Sequence, residues 1–148
     1  MRSPRLLTSV AAVLLSAALF AGAPHVLRAQ APVPSTDSAA AAAFKQVDLG
    51  EQWFRSVCLE CHAVGSVSNP DFRLKWGGRS AFDLYELIRS TMPEHEPGSL
   101  TQGTYTAIVA YLMKLNGMPV GTSAIASDSS VLASIKLSFP AGTSATPR

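Results

Sequence analysis

Two cysteines and a histidine in the middle of the chain limit what it can fold into more than any other feature. They form the run Cys58-Leu59-Glu60-Cys61-His62, and the 148-residue chain has no other cysteine. This spacing places both thiols on one helical turn, with the imidazole on the next residue. The local structure must therefore present two sulfur atoms and a ring nitrogen within one small region.

A Cys-x-x-Cys-His run is the attachment pattern of a c-type haem. Two thiols at this spacing can add to the two vinyl groups of a protoporphyrin, and His62 would then supply the proximal iron ligand. We therefore expect one haem c, with its iron, bound covalently through Cys58 and Cys61. A disulfide or a thioredoxin-like pair needs no His62, and no βαβ pattern surrounds the motif. A zinc site would need four ligands, and adjacent Cys61 and His62 are poorly placed to share one ion.

The N-terminus has the order of an export signal. Arg2 and Arg5 precede an uncharged run of eighteen residues from Leu6 to Ala23, and small residues follow it. We interpret residues 1–29 as a signal peptide cleaved near Ala29, or alternatively as an uncleaved anchor, because eighteen residues approach the shortest span of a bilayer. Both interpretations predict a periplasmic or otherwise extracytoplasmic protein, and the second adds a membrane tether through the N-terminus.

Composition divides the rest of the chain into three segments. Residues 30–43 are rich in Ala and Pro and predict a linker, although the alanines could instead start the first helix. Residues 44–120 contain the motif and form the predicted domain. Residues 121–148 are a Ser-, Thr- and Ala-rich tail with one apolar patch, which predicts either a wrap over the domain or a partly disordered end.

Periodicity predicts three helices in the domain. The first covers roughly 47–57, and the second follows Ser80, which forms a capping-box pattern with Asp83. The third begins near Thr101 and ends before Asn116-Gly117. No alternating strand pattern competes with them. The sequence thus predicts an all-α fold of three to four helices around one covalently bound haem, which must complete a small core.

The segment from Gly50 to Gly121 resembles a class I cytochrome c. Gly50 and Phe54 match the positions at which that family crosses its first and last helices, and residues 110–112, Ala-Tyr-Leu, match its last helix. A narrower likeness, to small cytochromes associated with quinoprotein alcohol dehydrogenases, rests on four further runs. These are Trp76-Gly77-Gly78-Arg79, Thr91-Met92-Pro93, Pro97-Gly98-Ser99-Leu100 and Asn116-Gly117-Met118-Pro119.

The resemblance implies further site residues. Met92 matches the methionine that supplies the sixth iron ligand, with His95 as its competitor. Pro70 matches the proline whose carbonyl accepts a hydrogen bond from the proximal imidazole. Trp76 and Arg79 match residues that bury or neutralise the haem propionates. The metal ligands implied are therefore His62 and Met92.

The resemblance also implies a function: a single-haem electron carrier rather than an enzyme, either free or as the cytochrome subunit of a dehydrogenase. Its redox partners would be a donor dehydrogenase and an acceptor cytochrome or oxidase. Removal of the predicted signal peptide also removes Arg2, Arg5 and Arg28. Nine basic and ten acidic residues then remain, so no nucleic-acid partner is expected. If Met92 does not bind the iron, the alternative is a haem-based ligand sensor or a peroxidase-like protein with an open sixth position.

Overall fold

The computed structural model describes residues 35–140, whose regular elements are all helices, with no strand among these residues. The helices are α1 (Thr36–Ser56), α2 (Pro70–Trp76), α3 (Ala81–Thr91), α4 (Gln102–Leu115) and α5 (Ser129–Ser134). Two 3₁₀ segments, Cys58–Glu60 and Val64–Val67, lie between α1 and α2. The all-α class is confirmed. The predicted signal segment, 1–29, lies outside the described residues.

Helix α1 is about twice as long as the sequence predicts. It begins at Thr36, where the Ser35 hydroxyl caps it by accepting a hydrogen bond from the Ser38 amide. The predicted linker over 30–43 is therefore corrected for residues 36–43, which are helical. Alanine has the highest helix propensity, so the run of five alanines extends the helix instead of interrupting it.

Helices α1 and α4 pack directly against each other. At their closest approach a Cβ atom on Gly50 would lie 1.9 Å from the carbonyl oxygen of Ala107, a distance that real side chains do not reach. One turn further on, the rings of Phe54 and Tyr111 pack with centroids 5.4 Å apart. Gly50 and Phe54, the two positions on α1 that carry the family resemblance, thus lie where α1 crosses α4.

Helix α3 begins as predicted. The Asp83 amide donates to the Ser80 hydroxyl over 3.2 Å, and the Asp83 carboxylate accepts from the Ser80 amide over 2.8 Å, which completes a capping box. Helix α4 is capped by Thr101 and ends at Leu115, with Asn116 as its C-cap and then Gly117 with a positive φ of 88°. Both ends match the predicted signals.

Helix α2 was not predicted. It has only seven residues, and the run Asn69-Pro70-Asp71 at its start also fits a simple turn. In the structure Asn69 caps the helix through its side chain and Pro70 occupies the first turn, where a missing N–H has no cost. This helix matters because it contributes one wall of the cavity described below.

The described part of the tail, up to Pro140, belongs to the domain core. Leu132 and Leu137 are fully buried, and the Leu137 backbone bonds to Gly78 and Arg79 on the approach to α3. Earlier in the tail, the backbone of Ile125 makes two hydrogen bonds with the side-chain amide of Gln46 on α1. The Gln46 amide group donates one and accepts the other, each over 2.8 Å. Residues 125–139 thus form a strap that runs from α1 to α2 over the start of α3.

Candidate haem-binding site

A cavity of about 640 Å³ opens between the helices, within the range typical of cofactor pockets. Helices α1 to α4, the motif segment and the loop after α3 all contribute to its walls. The walls are mainly apolar and aromatic, and they include Phe54, Phe72, Trp76, Leu84, Ile88, Leu100, Ile108 and Leu112. An apolar macrocycle would replace water in this space and join the surrounding side chains into one core.

All three motif residues, Cys58, Cys61 and His62, line this cavity. The amides of Cys61 and His62 both donate to the Cys58 carbonyl, over 3.2 and 2.9 Å, so the motif closes into a single tight turn. Both thiols are free, with Cys58 half-buried and Cys61 exposed. Two unpaired thiols and one imidazole therefore line the same apolar space.

Burial raises the pKa of the Cys58 thiol. A thiol reacts through its thiolate, so Cys58 is less reactive in the folded domain than in an extended chain.

Met92 and His95, the two candidates for the sixth ligand, line the same cavity. Met92 is half-buried and ends α3, and its carbonyl accepts a 2.8 Å hydrogen bond from the Tyr105 hydroxyl on α4. His95 is exposed. The structure thus anchors Met92 to the domain core, while His95 lies in the exposed part of the loop.

Pro70 does not line the cavity, although its neighbours Asn69 and Asp71 do. It is the first residue of α2. The proposed hydrogen bond between its carbonyl and the His62 ring stays a prediction.

Trp76 and Arg79 lie in different positions relative to the cavity. Trp76 is 3% exposed and lines the wall, whereas Arg79 does not reach it and instead stacks its guanidinium 4.8 Å from the centre of the Trp76 ring. The ammonium of Lys75 lies 5.5 Å from the same ring, and Lys75 does line the cavity. Two cations thus flank one buried indole at the edge of the site, which is a suitable environment for carboxylates.

Sequence reasoning missed two residues that shape the site. Tyr105 is 1% exposed and joins α4 to the Met92 carbonyl. Asn116 is fully buried, and its amide donates to the Val67 carbonyl over 2.8 Å, which ties the end of α4 to the segment after His62. Periodicity identified Tyr105 as part of an apolar face and Asn116 as a helix end, but contacts across 13 and 49 residues leave no local signal.

The donor set and the cavity fit a haem. Thiols for attachment, an imidazole and a thioether are the groups that hold haem c, and all of them line one apolar space of suitable size. In the described part of the chain, no three His, Cys, Asp or Glu side chains are grouped so as to hold a metal ion by themselves.

Comparison with known families agrees with this fit. The sequence model of the family described as "Cytochrome C oxidase, cbb3-type, subunit III" matches residues 45–112, which include the motif, Met92 and most of α4. Residues 45–112 are a c-type cytochrome domain. No characterised protein and no solved structure matches the chain.

The cytochrome domain implies haem c with its iron and a role in electron transfer between redox proteins. The predicted family and its class I fold are thereby confirmed. The narrower likeness to cytochromes of quinoprotein alcohol dehydrogenases stays a prediction. Within residues 35–140 of the cytochrome, no helix combines the length and the apolar character needed to cross a membrane.

Proposed function

We propose that this cytochrome is an exported single-haem electron carrier, with the haem attached through Cys58 and Cys61 and the iron held by His62 and Met92. The observation that carries the proposal is that all four side chains line one apolar cavity. When bound, the haem supplies a one-electron couple between ferrous and ferric iron. His62 and Met92 would together hold the iron and leave no ligand position for a substrate.

Met92 is favoured over His95 as the sixth ligand. A thioether is a soft ligand that favours ferrous iron and raises the reduction potential, whereas a second imidazole would lower it. The half-buried position of Met92 and its anchored carbonyl support a ligand held in place by the fold. The exposed His95 would first have to leave solvent.

Trp76, Arg79 and Lys75 would serve the propionate side of the cofactor. The buried indole excludes water, and the two cations beside it offset negative charge. Pro70 would orient the His62 ring through its carbonyl, as implied by the family resemblance. These residues tune the cofactor rather than react.

Export to the periplasm would follow from the leader over 1–29, which is either cleaved or kept as a tether. The partners we propose are a dehydrogenase as donor and a cytochrome or oxidase as acceptor. The family description, which names an oxidase subunit, supports an oxidase as the eventual acceptor. The cavity lining is mainly apolar, with Glu60, Asp71, Glu94 and Lys75 as its charged members, which supports docking through apolar contact.

Ligation by Met92 can be tested in the oxidised holoprotein. We expect a weak sulfur-to-iron charge-transfer band in the wild type, lost in Met92→Ala together with a fall in reduction potential. The matched variant His95→Ala, three residues along the same loop, should keep both. A wild type without the band, which instead binds added ligands freely, would favour the sensor or peroxidase-like alternative.

A further inference from the structure

One buried hydroxyl joins both ends of the loop that carries Met92. Tyr105 lies in the first turns of α4, and its hydroxyl donates to the Met92 carbonyl over 2.8 Å. The same oxygen accepts a longer hydrogen bond, 3.4 Å, from the Leu100 amide. Met92 and Leu100 flank residues 93–99, so a single phenol closes the base of this loop.

The rest of the loop has few anchors of this kind. Residues 94–99 are all exposed, and their backbone hydrogen bonds, Glu96 to Pro93 and Ser99 to Glu96, stay within the loop. The Tyr105 ring itself is fixed, because it is 1% exposed and packs edge-on against Tyr85 with centroids 6.3 Å apart. A rigid side chain on the most buried helix thus holds an otherwise exposed loop.

We propose that Tyr105 is a positioning residue that sets how firmly Met92 occupies the sixth iron position. The inference rests on the proposed function, in which Met92 is that ligand. Tyr105 also lines the haem cavity, so its hydroxyl acts at the boundary between the cofactor and the loop. Without the hydroxyl, the Met92 carbonyl and the Leu100 amide both lose a partner, and the loop opens more often.

The test is competition between Met92 and an added ligand. Imidazole is titrated into the oxidised holoprotein, and its binding is followed by the shift of the main haem absorption band, which every variant has, and in proteins that keep Met92 also by loss of the charge-transfer band. Tyr105→Phe should bind imidazole about three- to tenfold more tightly than the wild type, which is the net value of one hydrogen bond expressed as an equilibrium constant. Tyr111→Phe is the matched control, since Tyr111 is another buried tyrosine of α4 but packs on Phe54 instead.

A merely structural role of Tyr105 would lower the thermal midpoint of Tyr105→Phe and leave the imidazole affinity of the folded protein unchanged. The double variant Tyr105→Phe with Met92→Ala separates the cases further. When no methionine competes, the hydroxyl should no longer affect imidazole affinity, so the two changes must be coupled. Equal affinity in Tyr105→Phe and wild type, or an undiminished effect in the double variant, would overturn the role of Tyr105 while leaving Met92 as ligand. Absence of the band from the wild type would instead overturn the ligand assignment and, with it, this proposal.

Discussion

Gly50 is the residue at which the two longest helices come closest. A Cβ atom there would lie 1.9 Å from the Ala107 carbonyl oxygen and 2.9 Å from the Tyr111 Cβ, and neither the backbone nor a Cβ can move aside by itself. Any side chain at this position must therefore separate α1 from α4. The requirement is purely steric and independent of the cofactor's chemistry.

Gly50→Ala should accordingly lower the free energy of unfolding of the holoprotein by about 2 kcal/mol or more, as overpacked core sites do. Gly103→Ala is the control, because a Cβ at Gly103 in α4 meets only the Thr101 hydroxyl at 3.8 Å. That change should be neutral or stabilising by about 0.5 kcal/mol, since alanine is the better helix former. Urea unfolding measures both, and equal stability of Gly50→Ala and wild type would show that the helices can separate without loss.

The site residues differ in how far the sequence could predict them. The positions of Cys58, Cys61 and His62 follow from the chemistry of attachment, which fixes their spacing along the chain, so no tertiary information is needed. Tyr105 and Asn116 act through hydrogen bonds to residues far away in sequence, and only the folded chain shows these partners. The role of Arg79 at the propionates stays a prediction, and its stacking on the Trp76 ring follows the turn at Gly77-Gly78, which the sequence does not place relative to the cavity.

At the level of elements, caps were predicted better than helix lengths. The ends of α3 and α4 depend on short-range hydrogen bonds, so Ser80, Asp83 and Thr101 mark them in the sequence. The start of α1 depends on whether the alanine run finds tertiary support. The structure provides it, because Ala43 and Val47 are buried and Gln46 pairs with the backbone of Ile125. The Gln46 pairing reaches the tail, about 80 residues away in sequence.

The capping box of α3 predicts a pH dependence of stability. Hydrogen bonds from the Ser80 hydroxyl and amide lower the pKa of Asp83 below its ordinary value. Because its pKa is lower in the folded than in the unfolded chain, the ionised carboxylate stabilises the fold at any pH above the ordinary carboxyl pKa of about 4. This contribution is lost as the pH falls through the lowered pKa. Asp83→Asn should therefore be less stable than wild type at pH 7, and the difference should shrink in strong acid.

Urea unfolding at several pH values measures this difference. Asp48→Asn, at an exposed position of α1, is the control. A difference that stays constant with pH would contradict a role for the charge.

At the level of the whole molecule, the part of the tail that the structure describes, up to Pro140, completes the domain. Leu137 is 1% exposed, and its backbone bonds to Gly78 and Arg79, next to the Trp76 wall of the cavity. Phe139 packs on Phe72 of the same wall, with ring centroids 6.3 Å apart. The apolar patch of the tail predicts either a wrap over the domain or a partly disordered end. The burial of Leu132 and Leu137 in the core favours the wrap.

Leu137→Ala should lower the free energy of unfolding by about 2–5 kcal/mol, as a large-to-small change in a closed core does. Val131→Ala, at a position 38% exposed on the same strap, should cost far less. Thermal unfolding of the holoprotein compares the two. Equal midpoints for the two variants would show that the strap does not contribute to the core.

The central claim is that the motif binds one haem covalently and that this haem completes the core. The most direct measurement is the mass and haem absorbance of the denatured protein, produced together with a machinery for covalent haem attachment. We predict one haem per chain, retained after denaturation, and none in the Cys58→Ala, Cys61→Ala variant, which should also lack a cooperative thermal transition. A denatured wild type free of haem, or a cooperatively folded variant without it, would contradict the account.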